Sequence, residues 1–337
     1  MSLEFFLFFI PSFLGIIFYS KLALRYGIYA APNYRSLHAN TVPRGGGLVI
    51  ALSCMLGLFY VWSQGLVVPL DFLVLISGSA LAACIGFIDD AIDLNPLFRF
   101  FVQIVLGSLL SIYVVYNLNH RGGQSYSLWI LIVLFSVFLF SAVWFFNLFN
   151  FIDGIDGQAG SVVVFIGGLA GSFLFLKGHV ISATLFLILV SSTLSFLIFN
   201  WPPAKIFLGD SGTWFISYYL CFLMAYTILN NQLSVWIWLI MMAYCFSDTT
   251  LTTLTRLIRL PGSWYKPHRS HAYQNLARVW GSHLKVLGLV LGVHFLWLLP
   301  LAVAAWIFPT HAMWMTFLAY IPLCLFSLRF GPLYEDV

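Results

Sequence analysis

The chain has 337 residues, 61% of them apolar and only 8% charged, where a soluble domain runs at roughly 45–50% and 25%. Its 15 Lys and Arg and 11 Asp and Glu fall far short of the roughly 84 charges expected of a soluble chain this long. A soluble globular protein is excluded, and residues 1–337 read as a single integral membrane domain.

A membrane span needs about 20 apolar residues. In chain order such windows fall at residues 3–23, 46–63, 66–88, 97–116, 127–149, 158–176, 180–200, 212–230, 233–255, 285–308 and 312–328. The first has no basic segment before it and no small-residue cleavage pattern after it, so it reads as a span rather than a secretion signal. The eleven windows predict an all-α polytopic membrane protein. If they alternate, 13 of the 15 basic residues share one side and only Arg121 and Lys177 lie opposite. The positive-inside rule makes the crowded side cytoplasmic, giving an N-out, C-in topology with the loops of the active site in the cytoplasm.

The acids sort to that same side. Asp89, Asp90 and Asp93 end the third window, with Asp89 and Asp93 four residues apart, so a continued helix would put them on one face. Such like charges need a cation, a cationic partner or raised pKa values. A second cluster, Asn150-Phe151-Ile152-Asp153-Gly154-Ile155-Asp156-Gly157, mixes acids with glycines that let the backbone approach a ligand, while Asp156 alone could cap the next helix. The third, Lys205-Ile206-Phe207-Leu208-Gly209-Asp210-Ser211-Gly212, runs straight into a helix start, where backbone N–H groups attract phosphate and a carboxylate can hold a hard cation. The fourth, Lys266-Pro267-His268-Arg269-Ser270-His271-Ala272-Tyr273-Gln274, reads as a cationic clamp on an anionic substrate, and Arg35 to Gly47 adds further cations and a flexible turn. The Phe87–Asp93 and Phe151–Asp156 segments echo each other but share no wider similarity, which favours convergence over duplication.

Asp89-Asp90, Asn150-x-x-Asp153-Gly154-x-Asp156-Gly157, Phe207-x-Gly209-Asp210-x-Gly212 and the late Arg269-x-His271 loop, in this order, resemble the polyprenyl-phosphate N-acetylhexosamine-1-phosphate transferases. The resemblance runs from about Arg35 to Gln274. It implies transfer of a sugar-1-phosphate from a UDP-N-acetylhexosamine to polyprenyl phosphate such as undecaprenyl phosphate, releasing UMP, in a bacterial inner or plasma membrane. It also implies Mg²⁺, with Mn²⁺ as an alternative, and no nucleic-acid partner; a homodimer is compatible with it. Asp210 is then the metal ligand, with Asp153 or Asp156 as a second. Asp89, Asp90, Asp153, Asp156 and His271 are the candidate catalytic residues, Asp89 as base or positioner of the lipid phosphate. Arg44, Asn150, Lys205, His268 and Arg269 are the candidate substrate-binding residues.

The late loop departs from the histidine-rich HIHH run of the members that use GlcNAc, reading His271-Ala272-Tyr273-Gln274. This resembles the branch that starts O-antigen or capsule chains and points to a 6-deoxy donor such as FucNAc or QuiNAc, with GlcNAc as the other choice. The competing class is an ion- or proton-coupled transporter, which would place its site near the membrane midplane. Six of the acids cluster at one interface, and only Asp248 and Asp71 approach the hydrocarbon.

Overall fold

The computed structural model describes residues 2–30, 41–121, 126–260, 262 and 268–332; Arg35, Lys266 and their neighbours in the two long polar loops lie outside these. The described chain is almost entirely helical. The first half comprises α1 (Ser2–Arg25), α2 (Gly47–Ser63), α3 (Pro69–Ile92), α4 (Pro96–Arg121), α5 (Leu128–Phe151), α6 (Gln158–Leu176) and α7 (Val180–Asn200). The second comprises α8 (Gly209–Leu229), α9 (Val235–Met241), α10 (Ala243–Arg259), α11 (Ala272–Trp280), α12 (His283–Gly292), α13 (Leu299–Ile307) and α14 (Ala312–Phe330), with a π turn, Val293–Leu298, joining α12 to α13.

Every predicted window is helical, but the windows are not equivalent. Among the described residues nine helical stretches are long and apolar enough to cross a membrane, or ten if α9 and α10 together form one span. The window at 46–63 yields only the 17-residue α2, and the window at 233–255 breaks at Met242, where α9 and α10 meet at 71°. Composition explains why α10 leaves its predecessor's direction. It carries five threonines, Asp248, Arg256 and Arg259, and it buries Ser247, Asp248, Thr249, Thr252 and Arg256 while exposing Leu254, Leu257 and Ile258. A helix with its polar stripe against protein and its apolar stripe outward suits a lipid-facing edge beside a polar site, the reverse of a soluble amphipathic helix.

The centre of the bundle is α8, packed along α3 and touched by α2 and α5, while α6 lies along α7 and α4 along α5. α5 stays at the rim, with Leu128, Trp129, Ile132, Val133 and Phe140 exposed. The tight crossing of α2 on α8 depends on two glycines: a Cβ on Gly47 would come within 2.0 Å of the Gly212 Cα. On α3 a Cβ at Gly86 would meet the Asp210 carbonyl oxygen at 2.4 Å, so side chains there would force α3 and α8 apart. Two short strands not foreseen from the sequence, β1 (Tyr29–Ala30) and β2 (Val42–Pro43), pair antiparallel just before α2.

Candidate active site

Backbone pairing fixes the first cation. Phe207 donates its N–H to the Pro43 carbonyl at 2.8 Å, and Gly46 and Gly47 donate to the Phe207 and Leu208 carbonyls, both at 2.9 Å, which locks the β2–α2 turn to the α7–α8 loop. Arg44, held between, reaches three acids: Nε lies 2.8 Å from Asp90 Oδ1, Nη2 2.5 Å from Asp210 Oδ2 and Nη1 3.8 Å from Asp93 Oδ1. Burial opposes the Arg44 charge, but Asp210, Asp90 and Asp93 outweigh it and push its pKa above the ordinary value.

The paired acids of α3 have separate fates. Asp90, its side chain fully buried, accepts the N–H groups of Asp210 and Ser211 at 2.8 and 3.0 Å. It therefore satisfies the start of α8 from a different helix, a cap in function though not in sequence. Asp89 turns towards α4, where its Oδ1 accepts from Arg99 Nη2 and the Leu94 N–H, each at 2.7 Å, and its Oδ2 is buried with no hydrogen-bond partner among the described residues. α3 stops at Ile92, and Asp93 adopts a left-handed φ of 48° as its C-cap, so the one-face arrangement expected of Asp89 and Asp93 does not form.

A cleft of about 480 Å³ opens where these ends converge. Of the predicted residues, Arg44, Asn150, Asp153, Asp156, Asp210, His268 and Arg269 line it; Asp89, Asp90, Lys205 and His271 do not. Asp210 is held from both sides, by Arg44 and by Asn150 Nδ2 at 2.8 Å. Asp153, in the α5–α6 loop, has its pKa pushed well above the usual carboxylate range by burial and by the Asp210 charge, with Arg44 opposing. Asp156 does not cap α6, whose N-cap is Gly157. Lys205 is exposed beside the cleft.

The histidine loop differs most from expectation. Burial, reinforced by His271 and Arg256, pushes His268 down to about 3, so it is a neutral imidazole whose Nδ1 lies 3.0 Å from Ser270 Oγ. The cations that line the cleft from this part of the chain are Arg269 and Arg278, and the sequence did not single out Arg278. His271 is buried behind the cleft, its Nδ1 3.5 Å from Asp248 Oδ2, and Asp248 Oδ1 accepts the Ala272 N–H at 2.9 Å. Tyr273 also faces inward and donates to the Phe151 carbonyl at 2.5 Å, leaving Gln274 as the residue of its run that meets the cleft. His283, Asn200 and Thr213 complete the wall, and no sequence motif marks them.

Residues 72–228 match glycosyl transferase family 4. The chain is 27% identical over 273 residues to a probable undecaprenyl-phosphate N-acetylglucosaminyl 1-phosphate transferase of Bacillus subtilis, covering 78% of this chain and 73% of that one. It is 26% identical over 294 residues to the undecaprenyl-phosphate alpha-N-acetylglucosaminyl 1-phosphate transferase of Yersinia pestis, covering 82% and 77%. It is 30% identical over 237 residues to the phospho-N-acetylmuramoyl-pentapeptide-transferase of Fervidobacterium nodosum, covering 66% and 72%. With motifs in family order and their residues gathered at one end of a helical membrane bundle, the chain belongs to glycosyl transferase family 4, in the superfamily of polyprenyl-phosphate hexosamine-1-phosphate transferases.

Proposed function

We propose that the protein transfers an N-acetylhexosamine-1-phosphate from a UDP-sugar to a polyprenyl phosphate such as undecaprenyl phosphate, releasing UMP and starting a lipid-linked glycan. The carrying observation is the cleft in which Asp210 sits between Arg44 and Asn150 with Asp153 nearby, at the ends of helices rather than midway along them. That location and the family favour a transferase over a carrier.

Attack of one phosphate on another needs charge neutralisation more than covalent help from the protein. Arg44, Arg269 and Arg278 supply fixed positive charge around the cleft. Asp210 and Asp153 suit a divalent cation such as Mg²⁺: both line the cleft, and a dication would offset the burial and the Asp210 charge that push the Asp153 pKa up. Two cleft carboxylates suffice for such a cation, which takes one or two from the protein and completes its shell with phosphate and water. When bound, the cation supplies electrostatic stabilisation of the phosphoryl oxygens. Asp156 is left for the nucleotide. Asp89, buried behind Arg99, acts on the lipid phosphate by orienting that guanidinium rather than as its base. A lipid phosphate is mostly dianionic at pH 7, so a base is dispensable.

Purified protein given undecaprenyl phosphate, Mg²⁺ and each of a panel of UDP-N-acetylhexosamines is expected to release UMP; silence with every donor would overturn the reading. Gln274 offers a neutral amide where histidine-rich relatives offer imidazoles, and a pocket with fewer hydroxyl partners discriminates weakly against a deoxy sugar. A 6-deoxy donor should therefore be used at least as well as UDP-GlcNAc, and Gln274→His should lower that ratio of kcat/KM values. A tenfold wild-type preference for UDP-GlcNAc, about 1.4 kcal/mol, would return the chain to the GlcNAc branch.

The cleft faces the cytoplasm in this proposal, with the whole chain as one membrane domain. Single cysteines at the exposed positions Asn95 and Arg259 should be labelled from the cytoplasmic side and those at Asn119 and His179 from outside. Labelling of Asn95 and Arg259 from opposite sides would sink the topology.

A further inference from the structure

His283 lies outside every motif, yet the fold delivers it to the cleft. Ser282 caps α12 by accepting the Lys285 N–H on its Oγ, which makes His283 the first helical residue and sets its ring against the α5–α6 loop. Its Nδ1 stands 3.2 Å from Asp156 Oδ2, with the two side chains only 17% and 14% exposed. The same Nδ1 is 3.3 Å from the Asp156 backbone nitrogen. These contacts demand opposite proton placements. An unprotonated Nδ1 would accept from the backbone but would also set its lone pair against a carboxylate oxygen at 3.2 Å. A protonated Nδ1 leaves the Asp156 N–H without this acceptor but donates to the carboxylate oxygen in a charge-assisted hydrogen bond, the stronger of the two contacts, and the chemistry selects this arrangement.

The Ala204 N–H, from the α7–α8 loop, donates to Asp156 Oδ2 as well, at 3.1 Å. Two segments remote in sequence thus grip one oxygen of this carboxylate. Oδ1 is left to serve the cleft that Asp156 and His283 both line. A helix cap does not account for the arrangement, because the N-cap of α6 is Gly157 and no side chain caps it.

We propose that His283 is a positioning residue for the donor site: with the Ala204 N–H it turns Asp156 so that Oδ1 accepts a hydrogen bond from the uridine part of the UDP-sugar. The proposal rests on the transferase reading above. A carboxylate wall suits the donors of a nucleoside, its ribose hydroxyls and the uracil imide N–H, whereas phosphate oxygens offer only acceptors to it.

The test is calorimetric titration of UMP into the purified full-length protein, paired with steady-state kinetics. His283→Ala should weaken UMP binding about tenfold, the scale of one charge-assisted hydrogen bond. His283→Asn, whose amide N–H lies where Nδ1–H lies, should restore binding to within about twofold of wild type; His283→Gln, whose amide lies where Nε2 lies, should not. In an Asp156→Asn background His283→Ala should cost nothing further, as residues acting through one contact are not additive. KM for undecaprenyl phosphate should stay unchanged in all these variants.

Asn behaving like Ala, or additive losses with Asp156→Asn, would overturn the proposal. So would unchanged UMP binding with a raised KM for UDP-GlcNAc, which would turn Asp156 to the sugar. A wild-type protein that does not bind UMP would overturn it outright. If wild type binds UMP but releases none from any UDP-sugar, the transferase reading fails while the UMP titrations still judge His283.

Discussion

Asp210→Asn is expected to lose at least a hundredfold in turnover while the protein keeps its fold and its melting temperature. The substitution preserves shape and leaves an amide oxygen for Asn150, but it removes the charge that Arg44 and a bound cation both use. Losing one preorganised electrostatic partner in a phosphoryl-transfer site costs about 3–4 kcal/mol, or 10²–10³ in rate. The measurement is UMP release at saturating Mg²⁺ beside a thermal melt in detergent. A variant that retains a tenth of the wild-type rate, a deficit of only about 1.4 kcal/mol, would reduce Asp210 to a structural partner of Arg44.

Asp90→Ala should do the opposite, damaging the fold first. It orphans the N–H groups of Asp210 and Ser211 at the start of α8 and strips Arg44 of a partner that is wholly inside the protein. Breaking a buried ion pair from one side costs about 3–5 kcal/mol, which at about 2 °C per kcal/mol lowers Tm by roughly 6–10 °C in a protein of this size. Activity should fall because the α8 terminus that carries Asp210 is no longer fixed. An Asp90→Ala protein with wild-type Tm and no activity would restore Asp90 to the chemistry, in contact with substrate rather than with α8.

Sequence patterning read the helices well because lipid leaves little choice: an apolar run of about 20 residues must satisfy its backbone internally. The bend at Met242 escaped because hydropathy scores a window by its sum, while the break depends on which face of α10 meets protein and which meets lipid. Motif spacing brought Asp153, Asp156, Asn150 and Asp210 correctly to one cleft. It could not separate Asp89 from Asp90, since adjacent helical residues point about 100° apart and the partners that claim them, Arg99 and the α8 N-terminus, are set by tertiary packing. His283 and Arg278 were invisible for a related reason. Each sits alone in an ordinary stretch of sequence and gains meaning only where α11 and α12 fold back over the α5–α6 loop. His268 reaches the cleft from the loop that the sequence singled out, but its protonation is decided by burial, which sequence does not report.

The glycine contacts between α2, α3 and α8 bear on how the enzyme comes into being. Helices already inserted in a bilayer gain little by hiding apolar surface from one another, so close approach of small residues is a main force that brings them together. Here the Gly47–Gly212 crossing and the Gly86 contact with the Asp210 backbone are those approaches, and they are also what sets Arg44 and Asp90 against Asp210. Biogenesis and competence are therefore a single event. A chain threaded correctly across the bilayer, with every span in place but these helices still apart, has no catalytic centre, and bulky substitutions at the glycines should yield protein that is inserted, full length and inert.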